Sequence, residues 1–291
     1  MSLSRLDPRK PYLVIHEEEP DGRGGVALAT TILLTASTCP IGCEMCDLHQ
    51  NTLPGPTPTG AIVQQLEFAL SGSSQTSPQI PQSDTRHWLK LYNSGNFFDP
   101  LSIRPGEYSE IAGHCADYSR VIVENHPRFG AERLRQFRDL LSAPLEVAVG
   151  LETIQPRWLD RLGKQMSRDQ FDAYAKWLMD ERVDLRVFLI LGVPGISVTE
   201  SLRWARLSVR HAIAQGARHV SLIPARFGHG WNGLADQLPC FSSDDLIAVQ
   251  AAAIGDADGE AVVMIDLWDL DQNDPGYETL CRTNRSQQVP C

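Results

Sequence analysis

The sequence predicts an α/β fold of successive β-α units, an open, partial (β/α)6 barrel with a short strand extension at the carboxyl end. Three observations carry this expectation. From residue 26 onward, short apolar runs alternate with amphipathic stretches, as sequential β-α units do. Most runs are continuous rather than alternating, as when helices cover one side of a parallel sheet and the other faces an interior. Six units plus a trailing strand suit an open barrel better than a closed eightfold one.

Residues 1–25 read as an amino-terminal extension, 26–256 as the barrel and 257–291 as a carboxyl-terminal strand and tail. The first strand is expected over 26–34 and its helix over 61–70. Residues 71–85, rich in serine, glutamine and proline, read as a surface loop. Further strands are expected at 88–92, 120–124, 145–151, 185–191, 219–224 and 261–267, with helices at 106–118, 131–141, 167–182, 199–215 and 243–254. Ser167 to Gln170 and Ser197 to Glu200 have the capping-box form that opens a helix. Leu202, Ala205, Val209 and Ile213 form an apolar stripe at intervals of three and four, which is core.

Composition narrows the function classes. A chain of 291 residues, 42% of them apolar, can bury a sizeable core. The amino terminus has no apolar stretch behind its charges, and the longest apolar run, 187–194, is far short of a membrane span. A soluble, cytoplasmic protein without a membrane partner is expected. The net charge of -10 argues against a broad basic surface for nucleic acid, and Arg128, Arg133, Arg135 and Arg138 read as a solvated helix face. Cys115, Cys240, Cys281 and Cys291 are scattered and read as free thiols in a reducing compartment.

The remaining three cysteines, Cys39, Cys43 and Cys46, stand within eight residues just past the first strand. Spaced C-x3-C-x2-C, three sulfurs can ligate three irons of a cubane iron-sulfur cluster and leave the fourth iron open to a reactant. A structural alternative is a closed Cys3His zinc site completed by His49, which would make the chain a zinc-stapled binding protein without radical chemistry.

The cysteine spacing resembles the signature of the radical S-adenosylmethionine (SAM) family. That resemblance implies a 4Fe-4S cluster on Cys39, Cys43 and Cys46, SAM chelated at the open iron, and a 5'-deoxyadenosyl radical that abstracts hydrogen from a second substrate. It also implies an external one-electron reductant such as flavodoxin or ferredoxin. Met45 departs from the family pattern, where an aromatic residue usually precedes the last cysteine; its apolar side chain is expected to shield the cluster or pack near adenine.

In parallel barrels ligands lie at the carboxyl ends of strands. After the second predicted strand, Asn93, Ser94, Gly95 and Asn96 stand where the family has a Gly-Gly-Glu-like segment that meets the SAM amine. After the third, Glu124 is a candidate catalytic acid or a SAM contact; after the fourth, Glu152 is expected to accept ribose hydroxyls or an ammonium proton. The fifth strand ends in Gly192-Val193-Pro194-Gly195, where Val193 and its neighbours admit a close approach to adenine. The sixth ends in Arg226 to Gly230, with Arg226 or His229 available to a carboxylate or phosphate. On the last, Asp269 and Asp271 share a face by the period of two, and Asp269 is the second candidate catalytic acid.

Four stretches are similar to one branch of the family: Tyr92 to Phe97, Val121 to Phe129, Leu145 to Thr153 and Asp169 to Phe171. They resemble the radical SAM subunit of archaeosine synthase and, more distantly, the radical SAM domain of the Elongator catalytic subunit. This implies modification of a tRNA deazaguanine base or a related small molecule. Leu162-Gly163-Lys164 and Gly192 to Gly195 depart from that branch, as does the acidic composition.

Overall fold

The computed structural model describes residues 6–71 and 86–287. All but Ser71 of the expected 71–85 loop, and Cys291, lie outside the described residues. Eight strands stand in the sheet in the order in which they occur in the chain. The fold is the α/β partial barrel that the sequence predicts, with one strand more.

That strand, β1 (Leu13–Pro20), falls in the expected extension. It forms a hairpin with β2 (Val26–Leu33), whose five-residue connection closes through Asp21 N to Gly25 O at 2.9 Å. Three successive glutamates hide it from a periodicity reading, yet they are partnered. Glu17 Oε1 accepts from Lys90 Nζ at 2.8 Å and from Thr31 Oγ1 at 2.9 Å. Glu19 meets Arg186 in a bidentate pair at 2.9 and 3.2 Å, with both side chains at most 3% exposed.

From β2 the chain runs through α1 (Ala61–Leu70), β3 (Arg86–Tyr92), α2 (Tyr108–His114), β4 (Arg120–Glu124), α3 (Ala131–Arg138) and β5 (Leu145–Glu152). It continues through α4 (Pro156–Arg161), α5 (Arg168–Asp180), β6 (Asp184–Leu191), α6 (Val198–Ala214), β7 (Ala217–Pro224), α7 (Ser243–Ala257), β8 (Val262–Ile265) and α8 (Tyr277–Arg285). The pairs β2–β3, β3–β4, β6–β7 and β7–β8 are parallel. Ser167 opens α5 with a full capping box; at α6 Ser197 accepts from Glu200 N at 3.2 Å. A further box, Ser242 with Asp245, opens α7. Among the described residues no helix is long and apolar enough to cross a membrane.

The chain divides into two compact units. One holds Ala27–Pro40 and Leu48–Val147 with the start of β1; the other holds Glu19–Val26, Ile41–Asp47 and Ala148–Cys291. In the first, Phe97, Phe98, Tyr108 and Phe137 pack as a fully buried aromatic group, Phe97 and Phe137 at 4.8 Å between centroids. Burial there also pushes the Cys115 thiol up to about 12, so it stays protonated.

In the second unit, β8 ends the sheet order and so presents an edge. Side chains from the α8 region cover it. Asn284 accepts from Ile265 N at 3.0 Å and donates to Ile265 O at 2.9 Å, while Gln287 accepts from Val263 N at 2.7 Å and donates to Val263 O. Two carboxamides thus supply the bonds that a further strand would make, which blunts the edge against pairing with another chain. Replacing both by alanine leaves four buried backbone groups without partners. The double variant is expected to lose at least about 4 kcal/mol, at roughly 1–3 kcal/mol per orphaned group, and to self-associate on a sizing column at concentrations where the wild type elutes unchanged.

Candidate functional site

In the first unit, β3 ends at Tyr92 and the chain turns through Asn93 to Asn96, all but Gly95 at most 3% exposed. Ser94 takes a left-handed φ of 55°. The turn is held by Glu124 at the end of β4, whose Oε1 accepts from Asn93 N at 2.6 Å and from Gly95 N at 2.9 Å. Both bonds are charge-assisted. The carboxylate expected as a catalytic acid is therefore committed to shaping the turn, because the two N–H groups left over at the strand end point at it. From behind, Phe97 and Phe98 anchor the same segment in the aromatic group.

The turn reaches the first cysteine. Asn96 Nδ2 donates to Cys39 Sγ at 3.2 Å, and Asn96 Oδ1 accepts from His126 N at 2.8 Å. A Cβ at Gly95 would stand 3.2 Å from Cys39 Cβ, so the absence of a side chain lets the backbone lie against the cysteine. Asn93 Nδ2 donates to Asn96 O at 3.1 Å, while its Oδ1 is buried without a hydrogen-bond partner. An orphaned buried acceptor is costly unless a ligand donor meets it.

In the second unit lie Cys43, 7% exposed, and the half-buried Cys46. The segment that carries them is clamped from two sides. Glu44 N donates to Leu162 O at 3.0 Å and Gln165 Nε2 to Ile41 O at 3.1 Å. From the loop after β7, His229 N donates to Glu44 O at 2.9 Å. Gly228, at φ 55°, leaves so little space that a Cβ there would lie 2.7 Å from the Met45 carbonyl carbon. Arg226 completes the clamp with Asp47 at 3.0 Å and Asp266 at 3.6 Å. The charge expected to meet a ligand instead joins the residue after Cys46 to the end of β8.

Met45 packs against an apolar cluster of Leu162, Ile190, Val193 and Trp231. The two expected adenine neighbours, Met45 and Val193, thus belong to one wall. At the end of β5, Glu152 sits at φ 67°, uncommon for a side chain of its size, and pairs through Oε1 with Lys164 Nζ at 2.7 Å. Gly150 makes room for that pair, since a Cβ there would overlap both groups.

Asp269 is not where the period of two puts it. β8 stops at Ile265, and Asp266 bends the chain by accepting from Trp268 N at 2.9 Å, a side-chain turn of the kind aspartate favours. Asp269 lies beyond, exposed, at φ 67°. Asp269 and Asp271 therefore share no strand face.

The donors at hand suit a cluster: three thiols on one short segment, the first already receiving an amide N–H. Among the described residues no three histidine, cysteine or acidic side chains are gathered closely enough to hold a single metal ion.

No family model and no curated protein sequence matches the chain. Solved structures do. Methylornithine synthase (PylB) superposes with a TM-score of 0.60 at 13% identity, over 92% of this chain and 72% of that one. SuiB of Streptococcus suis, bound to S-adenosylmethionine, gives 0.55 at 9% identity, over 82% of this chain and 51% of its own. HemN of Escherichia coli, a coproporphyrinogen III oxidase described as a radical SAM enzyme, gives 0.50 at 11%, over 89% and 54%. The chain spans about half the length of the last two. It has the fold of these proteins.

Proposed function

We propose that the protein is a radical SAM enzyme in which Cys39, Cys43 and Cys46 hold a 4Fe-4S cluster. The observation that carries the proposal is the Asn93–Asn96 turn, which donates to the Cys39 sulfur and, two bonds along the same network, keeps a buried acceptor unused. The fold shared with HemN and with SAM-bound SuiB supports it. When bound, such a cluster supplies the electron that breaks a sulfur-carbon bond of SAM and yields a 5'-deoxyadenosyl radical.

The residues of the chain bind and orient. Asn93 Oδ1 is suited to accept from the methionyl ammonium, the neutral acceptor a buried cation needs. Glu152 offers a carboxylate to ribose hydroxyls, its charge balanced by Lys164. Met45, Val193 and Trp231 present the apolar wall against which adenine packs and from which water is excluded. Glu124 is a positioning residue for the turn. The second substrate is a tRNA deazaguanine base or a related small molecule, on the strength of the sequence resemblance, and the reductant a flavodoxin or ferredoxin.

Anaerobic reconstitution with iron and sulfide is the test. Wild-type protein is expected to turn brown with about four irons per chain, and Cys43→Ala to retain no stable cluster. A colourless wild-type protein with one tightly held zinc would sink the proposal.

A further inference from the structure

The carboxamide of Asn96 is held in one sense. Its Oδ1 accepts from His126 N at 2.8 Å. A backbone N–H is met by the oxygen of a carboxamide and not by its NH2 group, so the nitrogen is the end that faces Cys39 Sγ, at 3.2 Å. A flipped side chain would set two donors against each other at His126.

Nor can the side chain swing away. Asn96 is 1% exposed, and its carbonyl accepts from Asn93 Nδ2 and from Asp99 N, both at 3.1 Å. Phe97 N donates to Glu124 O at 2.9 Å, which docks the turn on the end of β4. The buried His126 is itself fixed, its ring Nδ1 accepting from Arg128 N at 3.1 Å. On the sulfur side, the bare backbone of Gly95 lies against Cys39 Cβ. Donor and sulfur are therefore set against each other by the framework around both.

A neutral thiol makes poor use of such a donor, because its sulfur is a weak acceptor. The bond becomes charge-assisted once the sulfur carries negative charge, as a metal-bound thiolate does. The arrangement thus suits Cys39 in its ligating state. An electron added to an iron-sulfur cluster places more negative charge on the sulfurs, so a fixed N–H aimed at one of them stabilises the reduced form more than the oxidised one. The bond raises the reduction potential, and its removal lowers it.

Resting on the radical SAM reading, we infer that Asn96 sets how readily the cluster on Cys39 takes up its electron. It touches no substrate and is a positioning residue that acts through the Cys39 sulfur. This role is separate from the ligand contact assigned to Asn93 and from the shaping of the turn by Glu124.

The test is a redox titration of the anaerobically reconstituted full chain at about pH 8, where a free carboxyl is ionised. Titanium(III) citrate is the reductant, SAM is left out, and the electron paramagnetic resonance of the reduced cluster is the readout. Asn96→Leu keeps the size of the side chain and removes the donor. It is expected to shift the equilibrium about three- to tenfold toward the oxidised cluster, about 30–60 mV more negative at roughly 59 mV per tenfold for one electron. Asn96→Asp keeps the acceptor for His126 N and turns a carboxylate oxygen toward the sulfur, so its shift has the same sign and is at least about tenfold. Circular dichroism checks the folding of each variant, and the aspartate variant keeps the question answerable if leucine is not tolerated. A loaded variant whose potential stays within about twofold of wild type, about 18 mV on the same scale, or moves positive would overturn the inference. So would two folded variants that hold no cluster, since Asn96 would then serve assembly. A wild type that takes up no iron and sulfide removes the radical SAM reading itself; a loaded wild type with unmoved variants removes the inference alone.

Discussion

Arg186→Met is expected to destabilise the protein by about 3–5 kcal/mol, the usual cost of breaking a buried ion pair by removing one partner. Arg186 and Glu19 are 2% and 3% exposed and joined by two bonds. With a total stability of about 5–15 kcal/mol usual for a domain, a loss of this size is visible as a large shift in a urea titration. Glu19→Leu combined with Arg186→Met is expected to regain most of it, because the desolvated charge is gone together with its partner. A single variant within about 1 kcal/mol of wild type would mean that the pair is better hydrated than its burial indicates.

Glu124→Ala carries the second large effect, on the site rather than the core. It removes the acceptor for two backbone N–H groups, Asn93 and Gly95, each bond to a charged group being worth about 1.5–3 kcal/mol. The expected outcome is a stability loss of about 3 kcal/mol and, because the turn also carries Asn96 to Cys39, a SAM affinity at least about tenfold weaker. Glu124→Gln keeps an acceptor oxygen and is expected to recover about half of both losses. A catalytic acid behaves differently: glutamine would abolish turnover as fully as alanine while leaving stability and SAM binding alone. That pattern would return Glu124 to the chemical role the sequence suggests.

The parallel strands were legible because their apolar runs are continuous; 120–124 and 61–70 match β4 and α1 residue for residue. β1 was not, since Glu17, Glu18 and Glu19 look like solvated charge until Lys90 and Arg186, 73 and 167 residues away, answer two of them. Asn284 and Gln287 escaped for the same reason: nothing local marks a carboxamide as a substitute strand. At the site, spacing alone singled out the cysteines and the strand-end acids. It could not reveal that Glu124 turns back onto backbone N–H groups, that Glu152 pairs with Lys164, or that Gly228 seats against Met45. Gly228 had a signal in the glycine-bounded stretch Gly228-His229-Gly230, but its contact partner lies over 180 residues earlier. The strand face expected of Asp269 and Asp271 is not realised, because an aspartate turn ends the strand at Ile265.

Cleavage of SAM by the anaerobically reconstituted chain, with dithionite as electron donor, tests the radical chemistry most directly. Wild type is expected to release 5'-deoxyadenosine, and Cys43→Ala to release none above background. Equal release by the two proteins, or none from a wild type shown to hold its iron and sulfide, would contradict the role assigned to these three cysteines.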